Sequence, residues 1–229
     1  MIVVTGSDSS LGQQLMGSCP QDERESRYTG EKIVGMSSWI MAEKRSIDER
    51  ILEIITEHGS IDKIINNYGT NHLSWIGKTD ANDDQILIHN VMGPYWVINA
   101  LVKAGQVCQV VNVASATYRV PQRCTALYCA SKAALVQMTR VMARELAPQG
   151  WTVNAIAPGL IEDTRMARFT NEQVLELRGW SKEKADSYAR KLIPMGRYTS
   201  REEVADAIWK IFDLPPYING TIIDMMGGV

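Results

Sequence analysis

Tyr128 and Lys132 stand four residues apart in Tyr128-Cys129-Ala130-Ser131-Lys132, near the start of a run with helical apolar spacing. Residues i and i+4 share a helix face, so a phenol and an ammonium address one pocket. A tyrosine titrates near about 10 in water, and a neighbouring cation favours its phenolate. Bringing it to about 7 takes roughly three units, or about 4 kcal/mol. A close lysine and a bound cationic group in a desolvated site would supply that. Such a phenol passes a proton to or from a substrate oxygen near neutral pH. Ser115 lies 13 residues earlier, directly after Val110-Val111-Asn112-Val113. Its hydroxyl is expected at the carboxyl end of a strand, where it can bond a carbonyl oxygen and stabilise a developing alkoxide. The plainer alternative is a loop serine and a surface tyrosine, and the four-residue spacing alone is a weak signal.

A second constellation opens the chain. Thr5-Gly6-Ser7-Asp8-Ser9-Ser10-Leu11-Gly12 follows the apolar run Ile2-Val3-Val4 and leads into a helical pattern. A strand, a Gly-containing turn and a helix start in that order form an anion cradle. Gly6 permits a tight turn, Gly12 lets the helix approach the strand, and the first turn, through Leu11, offers N–H groups and positive dipole to a pyrophosphate. Ser7, Ser9 and Ser10 add hydroxyls. The alternative is a strand–turn–helix junction capped by a serine. Ser10 stands where another glycine is expected and its Cβ limits close approach. Asp8 opposes a phosphate unless its carboxylate turns away.

The elements that must carry these groups alternate along the chain. Strand patterns occur at Lys32 to Met36, Lys63 to Asn66, Gln109 to Val113, Thr152 to Ile156 and Thr221 to Met225. Helical patterns occur at Leu11 to Cys19 (stopped by Pro20), Ser46 to His58, Gln85 to Val102, Tyr128 to Leu146 and Glu202 to Phe212. Gln21 to Gly30 reads as a solvated loop. This alternation predicts right-handed βαβ crossovers and a parallel sheet. The expected fold class is α/β, a Rossmann-type doubly wound parallel sheet with helices on both faces. One domain is expected over 1–229, since single domains run to about 250 residues. Gly159 to Pro194 is charged and poorly periodic, and two readings fit it: a substrate lid or two ordinary surface helices.

Composition narrows the partners. The 229 residues are 45% hydrophobic and 22% charged, with formal charge -2, the profile of a globular protein. No basic excess points to nucleic acid, and no apolar run reaches the roughly 20 residues of a membrane helix. The start at Met1 shows no signal-peptide pattern. The four cysteines, Cys19, Cys108, Cys124 and Cys129, form no CxxC pair, so no metal site and a cytoplasmic location are expected.

Thr5-Gly6…Gly12, Asn66-Asn67-Tyr68-Gly69, Asn112-Val113-Ala114-Ser115, Tyr128…Lys132 and Asn154-Ala155-Ile156-Ala157-Pro158-Gly159 together resemble, in order, the motifs of the short-chain dehydrogenase/reductase family. Ile193-Pro194-Met195-Gly196-Arg197, Glu203-Val204-Ala205 and Asn219-Gly220 extend the resemblance to the end. It implies a catalytic set of Asn90, Ser115, Tyr128 and Lys132. In it Tyr128 is acid or base and Ser115 orients the carbonyl. Lys132 lowers the phenol's pKa and holds the nicotinamide ribose, and Asn90 completes a proton relay. It further implies NAD(P) contacts from Gly6, Ser9, Ser10, Leu11, Gly12, Asn66, Tyr68, Gly69, Pro158, Gly159, Ile161 and Thr164, with Tyr128 and Lys132. Tyr68 replaces a small alanine, and Asp163 precedes Thr164 where the family often keeps threonine. The stretch before Asn66 is short for the family, which implies a remodelled or missing second helix. Met226 replaces a common aspartate.

The end of the second strand sets the choice of coenzyme. Ser37 and Ser38 are neutral there, which leans the expectation to NADP over NAD, with Lys44, Arg45, Arg24 and Arg27 as cations in reach of a 2′-phosphate. Arg119 and Arg123 are read as solvated charges or contacts for an anionic substrate. Tyr95 and Trp96 are expected in the core, Trp75 at a pocket, and His89 in packing or solvent. The expected activity is interconversion of a small-molecule secondary alcohol and ketone, in a homodimer or homotetramer. The alternative is a nucleotide-binding scaffold of the same fold with weakened turnover.

Overall fold

In a computed structural model, which describes residues 1–17, 32–78 and 81–229, short β-branched runs between polar breaks form the strands. They are β1 (Ile2–Thr5), β2 (Ile33–Met36), β3 (Lys63–Asn66), β4 (Gln109–Val113), β5 (Thr152–Pro158) and β6 (Ile222–Met225). Their order is β2-β1-β3-β4-β5-β6, and every neighbouring pair is parallel. The order reverses at β1, so the loops after β1 and β3 diverge and leave a crevice at the carboxyl edge of the sheet.

Alternate residues of each strand face opposite layers. Val3, Ile64, Val110 and Val153 pack under α2 (Lys44–His58), α4 (Gly93–Lys103) and α5 (Ala126–Leu146). Ile2, Val4, Ile65, Val111 and Ile156 pack under α1 (Ser10–Gly17) and α8 (Arg201–Phe212). Ile47, Ile51 and Ile54 are fully buried on one stripe of α2, as their spacing requires. Each isoleucine removed from water contributes about 1.5–3 kcal/mol. A capping box of Ser200 and Glu203 starts α8.

The doubly wound α/β expectation holds, with adjustments. The second helix is not missing: α2 spans 15 residues and packs against α4. The predicted Gln85–Val102 helix is α3 (Ala81–Leu87), a π-helical turn at Ile88–Met92, then α4. Tyr95 is not in the core; it is 46% exposed, while Trp96 packs against the first layer. The Gly159–Pro194 segment contains α6 (Arg165–Arg178) and α7 (Lys182–Lys191), each started by a hydroxyl cap, from Thr164 and Ser181. The helix end at Cys19 and Pro20, the Gln21–Gly30 loop, Arg24 and Arg27 lie outside the described residues.

Candidate active site

A cleft of about 560 Å³ opens where the loops after β1 to β5 converge. Asp8, Ser9, Ser10 and Leu11 line it from the first loop, Ser38 from the second, and Tyr68 to Asn71 from the third. Ser115, Tyr128 and Lys132 form its deep wall, and Pro158 to Ile161 with the start of α6 close it.

The first loop is shaped for an anion. Gly6 takes φ +63°, and a Cβ on Gly12 would fall 2.1 Å from the Gly6 carbonyl oxygen, so strand and helix meet as closely as the sequence implied. Ser9 Oγ accepts the Gly12 N–H at 3.0 Å and caps α1. Asn67 Nδ2 lies 3.0–3.2 Å from Ser9 Oγ and the Thr5 and Gly6 carbonyls, which braces the turn. Ser10 Oγ accepts the Arg165 N–H at 3.0 Å, so the serine that replaces a glycine is tied to α6. Asp8 turns away from the helix start, and its Oδ1 accepts from Ser38 N at 2.9 Å and Ser38 Oγ at 2.7 Å.

Ser115 and Tyr128 meet as the sequence required. Ser115 follows β4 in extended backbone and shares the cleft wall with the Tyr128 phenol. Thr117 donates to Ser115 Oγ, from its amide at 3.3 Å and its hydroxyl at 3.0 Å. Tyr128 and Lys132 are buried on the same face of α5, 8% and 4% exposed. Lys132 Nζ donates to the Val113 carbonyl at 2.9 Å and lies 5.8 Å from the centre of the Tyr128 ring. Burial pushes the Tyr128 phenol up to about 12 and the Lys132 ammonium down to about 8. Burial thus holds the phenol away from neutrality, and the lowering expected from the sequence calls for the bound cationic group named beside the lysine. The lysine bonds a backbone carbonyl, and desolvation outweighs the lowering effect of the Ser115 hydroxyl.

Asn90 sits in the π-helical turn, fully buried and off the cleft wall. Its Oδ1 accepts the Thr70 N–H at 2.8 Å, and Nδ2 donates to the Thr70 carbonyl and to Ser131 Oγ, each at 2.9 Å. A Cβ on Gly69 would fall 2.9 Å from Asn90 Oδ1 and 3.3 Å from Lys132 Nζ, so both groups crowd this glycine. Asn66 is also off the cleft: its Nδ2 donates to Asn112 Oδ1 at 2.8 Å, and Asn112 Nδ2 donates to Thr139 Oγ1 at 2.9 Å. This amide ladder ties β3 and β4 to the helix that carries Tyr128. Gly6, Gly12 and Ser37 do not line the cleft. Gly159, Pro158, Ile161 and Thr164 line it, with Thr164 capping α6. Tyr68 lines it too, with its hydroxyl 3.3 Å from His89 Nδ1.

Sequence reasoning missed Asn67, Thr70, Thr117 and Phe169 on the wall, and passed over Asp8 as a contact. Asn67 stood inside the quoted Asn66-Asn67-Tyr68-Gly69 string, but only the chain's exit from β3 shows which asparagine faces the loop. Trp75 does not line the cleft, and Arg119 pairs with Asp224 at 3.0 Å. Among the described residues no His, Cys, Asp or Glu cluster suits a metal, and Cys108, Cys124 and Cys129 are free thiols.

The deep wall thus offers a neutral phenol, a hydroxyl and an amine with a lowered pKa, while the rim offers a shaped anion turn. A family model described as short chain dehydrogenase matches residues 21–175, which begins after the phosphate turn. The 3-oxoacyl-acyl-carrier-protein reductase of Aquifex aeolicus is 29% identical, over 100% of this chain and 86% of its own. An NAD+-bound xylitol dehydrogenase superposes with TM-score 0.83 at 19% identity, covering 99% of this chain and 97% of that one. An actinorhodin polyketide ketoreductase with NADPH gives TM-score 0.83 at 22% identity, covering 99% and 95%.

Proposed function

Because the chain belongs to the short chain dehydrogenase family, we propose that it is an NAD(P)-dependent oxidoreductase that interconverts a small secondary alcohol and a ketone. The donor set fits such a coenzyme: a shaped anion turn at one end of a 560 Å³ cleft and a buried amine beside a phenol at the other. The coenzyme, when bound, supplies or takes the hydride. The chain's residues handle the rest. The Ser115 hydroxyl orients the carbonyl oxygen, and the neutral Tyr128 phenol holds the proton that the developing alkoxide needs. Lys132 would hold the nicotinamide ribose, and its charge beside the phenol would ease that proton's departure. Asn90 fixes the Thr70 loop and Ser131 behind the lysine and positions the relay. Ser9, Ser10 and Leu11 receive the pyrophosphate. Helix α6 serves as a lid over the substrate end, with Met166 and Phe169 as its apolar lining.

The observation that carries this reading is the convergence of the Ser115 hydroxyl, the buried Tyr128 phenol and the Lys132 amine on the wall of one coenzyme-sized cleft. The substrate class favoured by the relatives is a 3-oxoacyl thioester, with a polyol as the competing choice, and both belong in the assay panel. No described helix is long and apolar enough to cross a membrane; a cytoplasmic homodimer or homotetramer is the state expected for the enzyme.

Tyr128→Phe is expected to lower carbonyl reduction at least a hundredfold and to leave reduced-coenzyme binding within about threefold, since only the proton donor is removed. Unchanged reduction by this variant would refute the mechanism. Loss of turnover on the whole panel together with no coenzyme binding by the wild-type protein would favour a scaffold role.

A further inference from the structure

We propose that Asp8 makes this protein select NAD(H) over NADP(H), by setting a carboxylate from the first loop where a 2′-phosphate would otherwise sit. The inference rests on the coenzyme reading above. In a doubly wound sheet, the end of the second strand reads the adenosine ribose. An acid there bonds the 2′-hydroxyl, and a cation there accommodates a 2′-phosphate. Here the second strand ends at Met36 and the chain continues with two neutral serines, which on sequence favoured the phosphorylated coenzyme.

The fold supplies the acid from elsewhere. Asp8 and Ser38 are 30 residues apart, and both line the cleft. One carboxylate oxygen, Asp8 Oδ1, accepts both the Ser38 amide and the Ser38 hydroxyl. The donors that the strand end would offer to an incoming anion are therefore engaged by an anion of the chain itself. A phosphate of about −1.5 to −2 charge meets repulsion there, whereas a ribose hydroxyl can donate to the carboxylate. Asp8 is held ionised, its pKa lowered by the Ser38 bonds and by the charge of Arg165 despite the opposing effect of burial.

Among the described residues, the cations that could reverse this sign are engaged or face another way. Lys44 pairs with Asp48 and Arg45 with Glu49, each one turn along α2. Arg165 lines the cleft, but its charge acts on Asp8, and its backbone N–H is bonded to Ser10. Lys132 belongs to the opposite, deep wall.

Fluorescence titration of the 229-residue chain with NADH and with NADPH tests this without turnover. Wild type is expected to bind NADH at least tenfold more tightly. Asp8→Asn keeps the size of the side chain and an acceptor for Ser38 but removes the charge, and is expected to narrow the preference at least fivefold, chiefly by tightening NADPH. If Asp8→Asn melts early, Asp8→Ser reads the same ratio. Equal or tighter NADPH binding by wild type overturns the inference and leaves the coenzyme reading intact. Loss of that NADPH affinity in Arg165→Ala would assign the arginine as the phosphate anchor. An NADH preference unchanged in Asp8→Asn overturns the role of Asp8. Binding of neither coenzyme overturns both readings.

Discussion

At the scale of single residues, the buried pair on α5 is governed by desolvation. A phenol pushed up to about 12 is a protonated donor throughout the neutral range, which suits reduction, where the alkoxide needs a proton. Lys132 pulls the other way. Its ammonium titrates near 8 in the fold and near about 10.5 in the unfolded chain, so below pH 8 both states are charged and burial of the charge opposes folding. Between about 8 and 10.5 the unfolded chain binds a proton that the fold does not, and stability rises with pH across that window. In Lys132→Met the window disappears. Urea unfolding at pH 7 and pH 10 should show the stability difference between wild type and variant move by about 2–3 kcal/mol, towards wild type at the higher pH. A difference that stays constant with pH would mean the lysine is hydrated or fully compensated by the Val113 carbonyl. Spacing alone could place the two side chains on one face. It could not show that the ammonium bonds the Val113 carbonyl, because that partner is 19 residues away on β4.

Among the elements, α6 is the one whose position depends on cross-cleft bonds more than on a core. None of its residues is buried, yet Arg165 N donates to Ser10 Oγ, and Asn71 and Leu73 bond Thr170 and Gln173 from the far side. The glycine-to-serine departure in the phosphate turn is thereby explained as an anchor for a helix 155 residues later. Ser10→Gly removes one such bond, about 1 kcal/mol. Amide exchange in the first turn of α6 should quicken about fivefold, while α5 and the strands keep their protection. Exchange that is unchanged in α6, or raised uniformly, would sink the anchor. Neither reading of the 159–194 segment, lid or paired surface helices, was separable in the sequence. Its charged, poorly periodic sequence suits either case, and what divides them is which helix the loop after β5 delivers to the cleft. Helix α6 lines it, while α7 stands outside it and packs its Tyr188 against Trp180.

For the whole molecule, two apolar layers share one sheet without touching each other. Ile51 in α2 and Ile208 in α8 are both fully buried, on opposite faces. Either isoleucine cut to alanine is expected to cost about 2–5 kcal/mol, and the double variant should equal the sum within about 0.5 kcal/mol, because no partner is shared. Denaturant titration of the two single variants and the double decides it, and a coupling beyond about 1 kcal/mol would show that the sheet transmits strain between its faces. The apolar pattern was legible in one dimension: short continuous apolar runs in the strands, buried on both faces, and the 3.6 period in α2, α5 and α8 settle which residues enter a core, because burial of apolar area is local to each face. The turn at Gly6 and the Tyr128–Lys132 face were legible for the same reason, since each depends on neighbours within one helical turn or one strand end. Asp8 against Ser38, Ser10 against α6, and the amide ladder from Asn66 through Asn112 to Thr139 depend on pairs 27 to 155 residues apart. Only the packed sheet brings such pairs within bonding distance, and so the electrostatic character of the cleft was decided by tertiary structure, while its proton-handling groups were already written in the chain.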